Sequence, residues 1–188
     1  MFPLNLPNFL TLLRIIAVPV VVVALLGETP NGDALAAAVF ALAALTDGLD
    51  GYFARSRDAV TTFGKLMDPL ADKLLITAAL ISLVSLHRLQ AWVAMVIIAR
   101  EIAVTGLRAI AAERGVVIAA SWMGKVKTVL QIAAVIALIA TNPAPAWVDV
   151  LVYLAVAATL ISGADYFFGL RKRLRATPSS PAPPATRA

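Results

Sequence analysis

A chain of 188 residues that is 61% hydrophobic and only 14% charged, with a mean hydropathy of +0.88, is too apolar for a soluble domain of its length and belongs in a bilayer. It contains no cysteine, which excludes a disulfide framework and a thiolate metal site, so any metal must be held by oxygen or by the lone His87. The net charge of +5 fits basic flanks that orient a membrane protein and meet anionic headgroups, and nucleic acid is not an expected partner.

Six apolar stretches, at 8–26, 34–55, 66–86, 90–112, 122–140 and 146–169, are long enough to cross a hydrocarbon core of about 30 Å, which takes about 20 helical residues. The expected fold is therefore all-α and integral to the membrane, with six transmembrane helices. Short polar or Gly/Pro-containing breaks separate them, as expected of antiparallel neighbours. Ahead of the first stretch, Asn5 and Asn8 precede the first basic residue, Arg14; a secretory signal would carry its charge earlier, so the N-terminus is expected to be retained. Basic residues gather at the second connection (Arg55, Arg57, Lys65), the fourth (Arg114, Lys125, Lys127) and after the last stretch (Arg171, Lys172, Arg173, Arg175), whereas the opposite loops offer only Arg88. Basic loops tend to stay inside, which puts both termini and the even-numbered connections in the cytoplasm. His87 reads as an interfacial residue beside Arg88, and Trp92, Trp122 and Trp147 as interface anchors. A membrane domain over 1–175 is followed by a Pro-rich stretch, 176–188, expected to be a disordered cytoplasmic tail.

Charge appears where a bilayer helix should have none. Asp47 and Asp50 sit three residues apart near the end of the second stretch, and Asp68 and Asp72 four apart near the start of the third. Each pair shares a helix face, and antiparallel packing of the two helices would let the pairs converge. Four converging carboxylates repel unless protonated or neutralised by cations, and hard oxygen donors suit Mg²⁺, Mn²⁺ or Ca²⁺. One or two ions are expected. The alternative, a solvated network with Arg55, Lys65 and Lys73, seldom needs four acids at these spacings across one short loop. Gly48, Gly51, Ala54 and Gly64 either permit close helix packing or leave room for a bulky ligand beside the carboxylates.

Asp47, Asp50, Gly51, Ala54, Arg55, Gly64, Asp68 and Asp72 together resemble, at every defining position, the signature D-x2-D-G-x2-A-R-x8-G-x3-D-x3-D of the CDP-alcohol phosphotransferase family. The resemblance implies a six-helix membrane fold, usually a homodimer, with a two-metal site (Mg²⁺ or Mn²⁺) at the cytoplasmic face of a bacterial inner membrane. It implies that Asp47, Asp50, Asp68 and Asp72 are metal ligands, that Asp72 is also the general base, and that Gly51, Arg55 and Thr61, with Gly64 beside them, contact the CDP-lipid. Segments around Asn8, Thr11 and Arg14, around Arg100, Glu101, Gly106 and Arg108, and around Gly124, Lys125, Lys127, Thr128 and Gln131 resemble those of phosphatidylglycerophosphate synthases, over roughly residues 5–170. That branch implies CDP-diacylglycerol as donor and glycerol 3-phosphate as acceptor.

A phosphorylated acceptor needs basic groups near the aspartates, and Arg108, Arg114, Lys125, Lys127 and Arg173 are the candidates. Each could instead serve as a positive-inside anchor. Asn8 and Thr11 either cap the first helix or touch the cytidine. Arg100 and Glu101 form either a structural pair or a substrate contact. Other acceptors, namely inositol phosphate, serine or phosphatidylglycerol, would use the same donor chemistry. A divalent-cation transporter would want mid-bilayer ligands and an internal repeat, and neither is found.

Overall fold

The computed structural model describes residues 6–27, 29–53, 62–113 and 122–176, and for 6–8, 47–53, 62–69, 72, 170 and 172–176 the backbone alone. The described residues form six α-helices and no strand: α1 (Leu6–Leu26), α2 (Gly32–Phe53), α3 (Thr62–Ser85), α4 (Ala91–Glu113), α5 (Trp122–Ala140) and α6 (Ala146–Ala176).

Among the described residues, three helices hold stretches long and apolar enough to cross a membrane: Phe9–Leu26, Trp122–Ala140 and Ala146–Gly169. α2 and α3 contain shorter apolar segments, Gly32–Thr46 and Lys73–Ser85, because the charged signature occupies the remainder of each. α4 is broken by Arg100, Glu101 and Arg108. The outer surface is nonetheless apolar along the bundle, with Val23, Leu42, Met95, Val129 and Phe168 each more than half exposed. A water-soluble bundle places charge on that face, so an apolar exterior over an apolar core is the pattern of helices solvated by lipid.

α1 packs against both α2 and α3, α5 packs along α6, these two groups join where α2 meets α5, and α4 packs against α6 and α3. Val21, Phe40, Leu80, Leu83, Val93, Ile139 and Val148 fill the centre and are almost completely buried. Alanines such as Ala36, Ala79 and Ala155 lie between them and let backbones approach.

The helix ends follow from local chemistry. Gly32 opens α2 where a Cβ would stand 2.2 Å from the Ala24 carbonyl oxygen, so no larger residue fits. Asp33, in the first turn of α2, complements the helix dipole and reaches Arg88 at 2.9 Å, tying the first connection to the third. α3 stops as His87 adopts a left-handed conformation with φ 57°, tolerated by histidine more readily than by β-branched residues. Trp92, Trp122 and Trp147 are exposed in the first turns of α4, α5 and α6, as expected of interface anchors.

Short connections alternate the helix directions. The C-terminal ends of α2, α4 and α6 and the N-terminal ends of α3 and α5 therefore share one end of the bundle. That end carries the aspartate signature.

Candidate active site

Asp47 and Asp50 lie in the last two turns of α2, and Asp68 and Asp72 in the first three turns of α3. Spacings of three and four residues keep each pair on one helix face. Their side chains lie outside the described residues, as do those of Asn8 and Arg173; Gly51 and Gly64 are placed in α2 and α3 by backbone only, and Arg55, Thr61 and Arg114 lie outside the description altogether. Among the described residues no three His, Asp or Glu side chains gather into a metal site. His87 sits beyond the C-terminal end of α3, away from Asp68 and Asp72 near its start. Carboxylates at these four positions would be hard oxygen donors, of the kind that suits Mg²⁺ or Mn²⁺.

Beside the signature a cavity of about 780 Å³ opens between α2, α4, α5 and α6, with Lys73 of α3 at its edge. Among the described residues, five basic side chains line it, Lys73, Arg100, Arg108, Lys125 and Lys127, against one acid, Glu101. Its other wall is apolar, formed by Ala41, Ala44 and Leu45 of α2 with Val129, Ile132 and Ile136 of α5. Such a mixed wall suits a ligand that is both anionic and lipidic.

The basic wall is organised by Glu101. Its carboxylate is ion-paired with the Lys127 ammonium from α5, and Arg100 donates to the same oxygen at 3.1 Å. Arg100 also donates to Ser162 Oγ of α6 at 2.7 Å, so one cluster ties α4, α5 and α6 together. The side chains of Lys127, Arg100 and Glu101 are only 6%, 13% and 16% exposed, so this pairing is shielded from water and salt. One turn deeper, Gln131 donates to Thr159 Oγ1 at 2.9 Å across the α5–α6 seam. Arg100 and Glu101 thus form the structural pair allowed by their adjacency, extended to a third partner on another helix. A smaller void of about 180 Å³, lined by Arg14, Lys73, Glu101, Lys127 and Gln131, continues inward.

The structure divides the sequence-derived acceptor candidates. Lys125 and Arg108 are exposed on the cavity wall, whereas Lys127 is buried and already paired. α1 begins at Leu6, so Asn8 and Thr11 lie inside its first turns and neither occupies the cap; Thr11 is 2% exposed. Lys73, Thr105, Ser162 and Tyr166 also line the cavity and were not singled out as ligand contacts from sequence. Lys73, a charge next to Asp72, and Ser162 and Tyr166, polar groups four apart in an apolar helix, carry a readable signal, and Thr105 does not.

Residues 4–161 match the model of the CDP-alcohol phosphatidyltransferase family. The chain is 45% identical over 180 residues to a CDP-diacylglycerol–glycerol-3-phosphate 3-phosphatidyltransferase of Bacillus subtilis (strain 168), covering 87% of this chain and 93% of that protein. It is 36% identical over 174 residues to the protein of the same name from Rickettsia bellii (strain RML369-C), covering 89% and 96%. It is 44% identical over 167 residues to a "Probable phosphatidylglycerophosphate synthase" of Mycobacterium tuberculosis (strain CDC 1551 / Oshkosh), covering 86% and 79%. A membrane-type helical bundle, the aspartate signature at one of its ends and these likenesses agree: the chain belongs to the CDP-alcohol phosphatidyltransferase family.

Proposed function

We propose that this chain transfers the phosphatidyl group of CDP-diacylglycerol to sn-glycerol 3-phosphate, giving phosphatidylglycerophosphate and CMP. The observation that carries the acceptor is the strongly basic cavity at the end of the bundle that bears the signature aspartates. A dianionic acceptor is matched by such a wall, while serine, with no net charge, would leave it uncompensated; inositol phosphate would match it equally. The names of the relatives at 36–45% identity support the same substrates.

In this reading Asp47, Asp50, Asp68 and Asp72 hold two divalent ions, Mg²⁺ or Mn²⁺, which when bound neutralise the pyrophosphate and the departing CMP. Gly51, Arg55, Thr61 and Gly64, with Asn8 from α1, bind the CDP-lipid, and Thr11, buried one turn on from Asn8, supports that end of α1 rather than touching the ligand. Arg108, Arg114, Lys125 and Arg173 face the acceptor phosphate, and Lys127, paired with Glu101, adds its charge from the cavity wall behind them. Asp72 takes the proton from the primary hydroxyl as its oxygen bonds to the lipid-bearing phosphorus. The bond from that phosphorus to CMP breaks, and CMP leaves with the electron pair. The apolar wall of α2 and α5 receives the lipid side of the donor, so lipid and water-soluble substrates meet at the bundle's end.

The same reading has six membrane spans, both termini and the active site at the cytoplasmic face of a bacterial inner membrane, assembly as a homodimer, and a catalytic domain over 1–175 followed by a tail over 176–188. The clustering of basic residues at one set of helix ends supports this orientation.

Purified protein given CDP-diacylglycerol, Mg²⁺ or Mn²⁺ and glycerol 3-phosphate is expected to release CMP, and EDTA to abolish that release. Inositol phosphate, serine and phosphatidylglycerol are the comparison acceptors. Release with one of them and none with glycerol 3-phosphate would overturn the acceptor assignment; full activity in EDTA would overturn the metal.

A further inference from the structure

Arg108 differs from the other arginine in the cavity. Arg100 is committed to Glu101 and Ser162, whereas Arg108 is exposed and makes no ion pair or hydrogen bond among the described residues. Its one specific contact is with Tyr166, whose ring centroid lies 5.8 Å from the guanidinium carbon. That is within the range of about 6 Å over which an aromatic face attracts a cation.

Tyr166 is itself immobilised. It is 8% exposed and packs with Val104, Leu107 and Ala111 of α4, which restricts the ring beside the guanidinium. Its phenol oxygen is buried with no hydrogen-bond partner among the described residues. Among the described residues, then, no hydrogen bond of the hydroxyl accounts for the aromatic residue's place. The ring face does. A long arginine side chain at a cavity mouth otherwise samples many rotamers, and stacking on a fixed ring restricts it without using any of its five N–H donors.

We infer that Tyr166 is a positioning residue whose ring holds Arg108 over the cavity, donors unspent, as the receptor for the phosphate of the acceptor. The inference rests on the acceptor reading above.

The test compares wild type with Arg108→Gln, Tyr166→Leu, Tyr166→Phe and the Arg108→Gln/Tyr166→Leu double variant, with Tyr166→Met made in case the leucine variant does not fold. Two measurements are taken in detergent: CMP release against glycerol 3-phosphate concentration at saturating CDP-diacylglycerol, and the inorganic phosphate concentration that half-maximally raises the melting temperature. Loss of a cation–π contact of about 0.5–1 kcal/mol corresponds to about two- to five-fold in affinity. Tyr166→Leu or Met is expected to raise KM and the phosphate midpoint by that factor, with kcat within about two-fold of wild type. Tyr166→Phe, which keeps the ring, restores wild-type values. Arg108→Gln raises KM by about ten-fold or more, as expected for loss of a charged hydrogen bond. The double variant is no worse than Arg108→Gln.

Unchanged KM in Tyr166→Leu and Met, additive effects in the double variant, or a Tyr166→Phe as poor as Tyr166→Leu would each overturn the positioning role. If wild type releases no CMP with glycerol 3-phosphate, the acceptor reading fails, and the phosphate titration alone decides whether Tyr166 positions Arg108 for an anion.

Discussion

Replacing Asp72 by asparagine is expected to lower kcat about 10²–10⁴-fold, the usual contribution of a positioned general base. Asparagine keeps the size of the side chain and one oxygen, but it cannot take the proton from the acceptor hydroxyl. α3 runs unbroken from Thr62 to Ser85, and Asp72 lies in its third turn, so a near-isosteric change there leaves the helix intact. The variant should bind CDP-diacylglycerol and melt within a few degrees of wild type. Single-turnover CMP release separates two roles. If millimolar Mn²⁺ restores turnover, Asp72 acts only as a ligand; if turnover survives without added metal, it is neither ligand nor base.

Removing Glu101 is expected to destabilise the protein strongly. Its carboxylate is the shared counter-charge of Lys127 and Arg100, all three largely out of water. Taking away one partner of a buried pair costs about 3–5 kcal/mol, because the remaining charge stays buried without compensation. Glu101→Leu should therefore lower the melting temperature in detergent sharply. The double variant Glu101→Leu/Lys127→Met should recover at least half of that loss, since replacing a buried pair as a unit is often nearly neutral. A double variant no more stable than Glu101→Leu would show that Arg100, with Ser162, dominates the requirement for Glu101. Activity need not return with stability, because Lys127 is also lost from the basic wall.

Much of the helical organisation was legible because hydropathy and helix length are both local. The differences are instructive. α3 begins at Thr62, four residues before its apolar stretch, and α6 continues to Ala176, seven residues beyond its own. Hydropathy marks where a helix meets lipid, while backbone hydrogen bonding continues through polar residues beyond it. The aspartate signature was legible because it combines fixed spacing with charges that a bilayer helix otherwise avoids.

The basic wall was only partly legible. Lys125 and Lys127 look alike in sequence, both beside Gly124 and Thr128. At 100° per residue they are rotated about 200° from each other, so one faces the α4 carboxylate while the other stays at the exposed edge. Which face is inward depends on where α4 and α6 pack, and that is a long-range matter. Arg100 and Glu101 announce a pair by adjacency, yet the third member lies 26 residues further on, and Ser162 is 62 residues from Arg100.

A membrane-embedded helical chain, the order and rough limits of its six helices and the helix ends that carry the carboxylates follow from local composition and from spacings within single helices. Which cations are neutralised and which are held ready depends on packing between helices. Glu101 reaches Lys127, and Tyr166 reaches Arg108, through packing between helices distant in the chain. Side chains separated by that much sequence carry no mutual spacing to read, and their meeting is set by the burial of the core between α4, α5 and α6.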